Sequence, residues 1–395
     1  MSSTTFHSAP PWRVARGMTL IELMVALVIG LTLTLAMTML TIQHERGKRE
    51  LGSANDMSGN ANFVSYELDR LLRSAGTGYI QGWSDNLGCP LRVSRNAQQL
   101  LPRLTPLPAP FAALPLTWNL APVLVFPGAG NNGSDALAIM TGTSGLAETV
   151  SSVQPGSTTA TSLRVPNTVG IRGGDLLLVA EQGRCLMQEV ASPFAGGATQ
   201  ALNFGGMYAS PDVAGVALAS FATNGNATAA LLGNAADNRP LFQLLGLNAS
   251  SALVSYDLLQ FDTLNRTETI ADGIADLRVL YGIDSNMADN VFTVNQWVAP
   301  TDPNFTPAAL TAGTPAAQTR LLSIMAVRVA LVLRSDRIEK EGETVSAEKQ
   351  VLFRGMPGLE RELSLSATQQ RQRHRVVEFT VPLRNVMITV RPPPP

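Results

Sequence analysis

"RGMTLIELMVALVIGLTLTLAMTML", residues 16–40, carries a single ionisable side chain after its opening arginine, Glu22. The apolar run from Met18 to Ile42 is about 25 residues long, and at about 1.5 Å rise per residue a helix of that length crosses a bilayer's hydrocarbon core with some tilt to spare. The spacing therefore predicts a transmembrane helix. The residues before it are few and polar, with Arg13 and Arg16 beside the run and no acid; the positive-inside rule keeps that end cytoplasmic and exports the rest. A secretory signal peptide would have a shorter apolar core and a small-residue cleavage site, whereas "QHERGKRE" follows here at 43–50. A carboxylate costs about 2.5–3.5 kcal/mol at mid-helix and less near an end, so Glu22 calls for a cation. If the chain is cut after Gly17, the new α-amino group of Met18 is positive, one turn from a carboxylate that already sits at the favourable end of the helix dipole. In an array of such helices the amine of one subunit neutralises the Glu22 of its neighbour and sets their axial register.

Outward from this stretch, helical spacing resumes in "FVSYELDRLLRSAG", with Phe63, Val64, Leu68, Leu71 and Leu72 on one face. One helix is expected from Met18 to about Ala75, closed by Gly76. Gly47, Gly52 and Gly59 each cost it roughly 1 kcal/mol relative to alanine, which predicts a frayed or kinked stretch over 43–60. Beyond Gly76 the pattern is β-rich, with strands expected in "DALAIMT" from Asp135, "DLLLVAE" from Asp175, "RCLMQEV" from Arg184, "LVSYDLLQFD" from Leu253, "LRVLYGI" from Leu277, "IMAVRVALVLR" from Ile324 and "RVVEFTVPLR" from Arg375. Arg328 and Arg334 interrupt the longest of these as in a buried strand with one open edge. The simplest arrangement lays one antiparallel sheet on the outer half of the helix. The low-charge stretch from Arg95 to Asn248 reads as an elaboration, and the closing "RPPPP" as a solvated polyproline tail.

The 395 residues, 45% hydrophobic, suffice for a sizeable core, and the net charge of −1 gives no whole-chain field for nucleic acid. The run Arg371, Arg373, His374, Arg375 reads as a solvated loop before a strand, with a polyanion patch as the alternative. Only three histidines occur, and His7 and His44 lie in the N-terminal segment. That excludes a site of two or three histidines for zinc, and any Ser-His-Asp triad would rest on His374. No phosphate loop or dinucleotide fingerprint is present. Asp284, Asn286 and Asp289 have calcium-like spacing but lack the glycine and terminal glutamate of an EF-hand, so an Asx-rich turn is the better reading. Two cysteines, Cys89 and Cys185, allow one disulfide in an exported head, worth about 4–5 kcal/mol in the chain-entropy model; two buried thiols are the alternative.

The run "GMTLIELMVAL" resembles the type IV prepilin processing motif: a basic leader ending in Gly17, then Met18, Thr19 and, fifth in the mature chain, Glu22. The resemblance implies cleavage between Gly17 and Met18 by a prepilin peptidase and N-methylation of Met18, with Glu22 as the subunit-assembly contact. The pieces "LDRLLRSAGTGY", "GCP", "GDLLLVAEQGRC", "IADGIADLRVLYGID", "VRVALVLRS" and "RHRVVEFTVPLRN", in that order, are similar to minor pilins of the PilW type, relatives of the larger minor pseudopilin of type II secretion. An α+β, pilin-like fold is implied: leader 1–17, transmembrane helix 18–42, amphipathic continuation 43–76 and a β-rich head 77–395. The implied role is initiation of type IV pilus assembly in a tip complex, with no catalytic residue, cofactor or metal. A type II secretion pseudopilin, or an adhesin or DNA-uptake component, is the alternative. The implied partners are the prepilin peptidase, other minor pilins, the major pilin and the assembly platform, with a tip adhesin as a further candidate. The implied location is the inner membrane with a periplasmic head, then the pilus.

Overall fold

The computed structural model describes residues 17–389 except 145–149, 182, 198–200, 224, 262–264 and 288–291. The leader residues 1–16 and the proline run 392–395 lie outside the described residues. The chain divides into two units, 1–55 and 56–395.

One α-helix runs over Leu20–Ser74. It passes through Gly47, Gly52 and Gly59 unbroken, contrary to the kink expected over 43–60. Three glycines weaken a helix, but a break forfeits backbone hydrogen bonds and requires a second costly nucleus, so continuation wins. The helix stops where Gly76 takes φ +84°, a conformation that disfavours any side chain. The Gly76 N–H then donates to Met140 O at 2.9 Å.

Within the unit 56–395, Met57, Ala61, Val64, Leu68, Leu71, Leu72 and Ala75 form the buried stripe of the helix, at spacings of three and four. Phe63, expected on that face, is 49% exposed. The stripe is centred on Val64 and Leu68, and the 100° step back to residue 63 carries the ring outward, beside exposed Tyr66.

The last turn of this helix is closed from far along the chain. Asn385 Nδ2 lies 3.1 Å from Ser74 O, 3.0 Å from Ala75 O and 2.8 Å from Thr77 Oγ1. Ser74 O and Ala75 O are among the carbonyls that a helix end leaves without intrahelical partners. Asn385→Ala is expected to cost about 1–2 kcal/mol, read as a lower denaturant midpoint of the detergent-solubilised chain; an unchanged midpoint would show that water replaces the clasp.

Among the described residues the head contains three larger sheets, not the single sheet expected. A four-stranded antiparallel sheet has the spatial order Gln296–Val298, Ile274–Ile283, Ile324–Arg334, His374–Pro382. Ile324–Arg334 is thus paired on both sides and has no open edge. Its Arg328 tolerates this position by pairing with Glu378 at 2.8 Å beneath the Trp297 ring. A five-stranded antiparallel sheet has the order Glu268–Ala271, Leu253–Asp257, Leu241–Leu247, Ala136–Thr141, Val123–Phe126. A six-stranded sheet contains Leu91–Arg95, Arg184–Glu189, Asp175–Glu181 and Thr228–Asn234 as neighbours. The stretch from Arg95 to Asn248 supplies inner strands of both larger sheets, so it is integral to the fold and not an elaboration.

The main core joins the helix stripe to all three sheets. A second cluster, including Val153, Leu163, Leu177, Val179 and Leu231, packs on part of the six-stranded sheet. Residues Leu352 and Phe353 of a small ribbon cover Leu280, Ala330 and Val332 of the four-stranded sheet.

A buried carboxylate ties the four- and five-stranded sheets. Asp135 accepts the N–H groups of Gly128 (3.1 Å) and Val279 (3.0 Å), and its own N–H donates to Leu277 O. Arg278 stands 3.6 Å from it and 2.9 Å from Asp276. Burial outweighs these favourable contacts and pushes the Asp135 pKa up from 3.8 to about 6, and raises that of Asp276 as well. The native fold therefore holds this proton more tightly than the unfolded chain does: Asp135 contributes stability below its unfolded pKa and loses it as pH rises through about 6. Relative to an Asp135→Asn variant, the wild type is expected to gain about 2 kcal/mol between pH 7.5 and pH 4, measured by denaturant unfolding at both pH values. A pH-independent difference would remove this account.

Candidate assembly site

Gly17, Met18 and Thr19 are non-helical and exposed, and the helix begins at Leu20. Thr19 caps it. Its Oγ1 accepts the Glu22 N–H at 3.3 Å, and its carbonyl accepts the Leu23 N–H at 3.1 Å. Thr19-Leu20-Ile21-Glu22 is thus the Thr-x-x-Glu pattern of a capping box, with Glu22 in its third helical position. Reading Glu22 only as an intermolecular group overlooked this signature, which stands in the sequence. The exposed carboxylate sits in the first turn, where the partial positive charge of the helix end favours it. The Gly17–Met18 bond immediately precedes the cap, in non-helical, exposed chain.

The helix then presents 26 residues, Leu20–Glu45, with mean hydropathy 2.4, long and apolar enough to cross a membrane. All of their side chains are exposed in the single chain. The few polar groups are turned inward on the backbone: Thr32 donates to Ile29 O, Thr34 to Gly30 O, Thr38 to Thr34 O and Thr41 to Met37 O, at 2.7–2.9 Å. Hydroxyls satisfied this way need no water, which suits a hydrocarbon surrounding.

In the head, Cys89 and Cys185 form a disulfide with a Cα–Cα separation of 5.8 Å, and both are fully buried. The bond joins the approach to strand Leu91–Arg95 with strand Arg184–Glu189. These two strands pair in parallel over only two register positions, Leu91 with Cys185 and Arg92 with Leu186. The cross-link thus reinforces a short ladder.

The arginine run is drawn apart by the fold. Arg371 donates through Nε and Nη2 to Glu339 O, whereas Arg375 Nη1 reaches Ser58 Oγ on the helix at 2.9 Å. His374 Nδ1 lies 3.0 Å from Gln372 O and 3.3 Å from Ser346 Oγ. That hydroxyl already donates to Gln372 O and accepts the His374 N–H, so it serves the turn. Burial lowers the His374 pKa, and its buried Nε2 has no hydrogen-bond partner among the described residues, so the orienting carboxylate of a triad is missing from this set. Asp284 is buried and its Oδ1 accepts the Asn286 N–H at 3.1 Å, an Asx turn as expected; Asp289 lies outside the described residues.

Two family models match the chain. Residues 12–38 match the prokaryotic N-terminal methylation motif, and residues 246–385 match type IV pilus-assembly protein W. The second match takes in the whole four-stranded sheet, its covering ribbon and the helix-closing Asn385. No curated protein and no solved structure matches.

Proposed function

Because this chain is a type IV pilin-like protein of the PilW type, we propose that it is a minor pilin that helps initiate pilus assembly, in a tip complex with other minor pilins. Residues 1–17 are the leader, removed by the prepilin peptidase, which also methylates the new amine of Met18. Residues 18–42 anchor the subunit in the inner membrane with its head in the periplasm, 43–76 carry the helix onward, and 77–395 form the head. Assembly then brings the chain onto the platform, against the major pilin and into the pilus, with a tip adhesin as a further neighbour. A pilin of this kind acts by packing, and it needs no catalytic residue, cofactor or metal.

One observation supports this reading above the others: an accessible Gly17–Met18 bond directly ahead of a capped, 26-residue apolar helix whose first turn carries Glu22. Cleavage there leaves Thr19 as the second residue, so the cap survives processing and the freed amine emerges beside it. The test is mass spectrometry of the chain purified from its own cells. N-methyl-Met18 is the expected first residue; an intact Met1, or a cut beyond Ile42, would sink the proposal.

A further inference from the structure

The strand His374–Pro382 is an edge of the four-stranded sheet: it pairs with Ile324–Arg334 on one side and, among the described residues, with no strand on the other. The bonds at its two ends fix which backbone groups face that free side. Ser335 N–H donates to Arg373 O, and Leu383 N–H to Met325 O. In an antiparallel pair the residues alternate, so the odd-numbered ones turn their backbone groups toward Ile324–Arg334 and the even-numbered ones turn theirs outward. The His374 N–H, first of the outward set, is taken by Ser346 Oγ at 2.9 Å. Pro382, the last, has no N–H. Between these two stops lie Val376, Glu378 and Thr380, whose outward N–H and C=O groups have no hydrogen-bond partner among the described residues.

An unpaired strand edge is a template for another strand, and proteins that leave one unused shorten it, charge it or cover it. The opposite edge of this sheet, Gln296–Val298, is only three residues long, whereas His374–Pro382 has nine. The one charge in its open middle, Glu378, is held by Arg328 at 2.8 Å and by the Phe353 N–H at 2.7 Å. Val377 and Phe379 lie half-buried against the main core, and Val376 against the cluster under the small ribbon. A strand laid alongside extends both apolar layers, and only an extended backbone matches alternating N–H and C=O groups at this spacing. A second copy fits poorly. Between the two stops, the antiparallel self-pair that sets outward groups against outward groups places Val376 opposite Thr380 and Glu378 opposite its own counterpart, and like charges directly opposite are destabilising.

We propose that residues 376–380 are a docking edge for an extended strand of a different protein chain, with apolar side chains beside Val377 and Phe379 and a polar or basic one beside Glu378. The proposal does not depend on the role in pilus assembly. It is tested by hydrogen exchange, read residue by residue, in the full detergent-solubilised chain. In the chain alone the Val376, Glu378 and Thr380 amides are expected to exchange at least about tenfold faster than those of Val377 and Phe379. The synthetic peptide Thr-Val-Thr-Val-Lys-Val-Thr-Val, at millimolar concentration, is expected to slow these three amides at least about fivefold. The same peptide N-methylated throughout should leave them unchanged. Thr380→Pro removes an outward N–H and is tolerated at an edge; it should keep the far-UV circular dichroism spectrum and abolish the slowing at Val376 and Glu378. Three slow amides in the chain alone would overturn the proposal: protection that fades on dilution makes the occupant a second copy, and protection that persists makes it a segment of the same chain. So would a peptide that leaves the amides unchanged, or equal protection by the N-methylated form, which cannot pair as a strand.

Discussion

Replacing Glu22 with alanine is expected to leave cleavage after Gly17 intact and to abolish surface pili in cells whose only copy carries the change. The cut depends on the exposed chain around Gly17 and Met18, and the variant enters the membrane more readily than the wild type because one carboxylate is gone. On the proposed function, what it loses is the counter-charge for the α-amine of a neighbouring subunit. An ionised group left unpaired costs less at a helix end than the about 2.5–3.5 kcal/mol of mid-helix, so the loss in incorporation is expected to be at most roughly a hundredfold per contact. Glu22→Gln should fail in the same way although it keeps the shape, since the charge is what the neighbour requires. The capping box offers a competing account in which Glu22 serves only its own helix. Thr19→Ala separates the two. It removes the cap, at a cost of about 1 kcal/mol, yet keeps the carboxylate, so pili should persist. Electron microscopy of sheared filaments decides between them, and normal pili on Glu22→Ala cells would remove the intersubunit role.

The second large effect belongs to the disulfide. Cys89 and Cys185 are 96 residues apart in sequence, and opening a loop of that size is expected to cost about 4–5 kcal/mol in the chain-entropy model. For a head of this size the melting temperature should fall by about 7 °C. Cys89→Ser, Cys185→Ser and the double variant should melt together, since each breaks the same bond, and reductant should bring the wild type to the same point. Because both sulfurs are buried, reduction should also be slow until the head is partly unfolded. A wild-type melt that ignores reductant would show that the packing around Leu91 and Leu186 holds this junction alone.

Much of the fold was legible because periodicity carried it. Each of the seven expected strands is present, and the helix ends at Ser74 with Gly76 as its cap. "LVSYDLLQFD" stops early, at Asp257, because that carboxylate accepts the N–H groups of Leu259 and Phe261 and turns the chain. Two of the strands that went unread share a composition. Thr228–Asn234, "TAALLGN", and Leu241–Leu247, "LFQLLGL", are rich in Ala, Leu and Gly, which locally favour helix or nothing. They are extended because they lie between other strands, so tertiary pairing overrides propensity. Val123–Phe126 is too short to display a period. The number of sheets depends on which strands pair, and no local pattern encodes that.

The site divides in the same way. Gly17, Met18 and Glu22 could be singled out from the sequence, since charge, apolar length and dipole all fall within one stretch, and the roles assigned to them are proposals. Thr19 was legible too, as the first residue of Thr-x-x-Glu, but the charge beside it masks so modest a signal. The clasp of Asn385 was not legible. Its donor and the carbonyls it meets stand about 310 residues apart, and only folding brings them together.

The clasp of Asn385 joins the first element of the chain to nearly its last. The amide that meets Ser74 O and Ala75 O stands about 310 residues downstream, so a very long loop must close before these contacts can form. A chain that ends before residue 385 keeps the local donors of the helix end, the Thr77 N–H to Ser74 O among them, and lacks this distant one. The asparagine therefore belongs to the late contacts of folding and not to those that nucleate the helix.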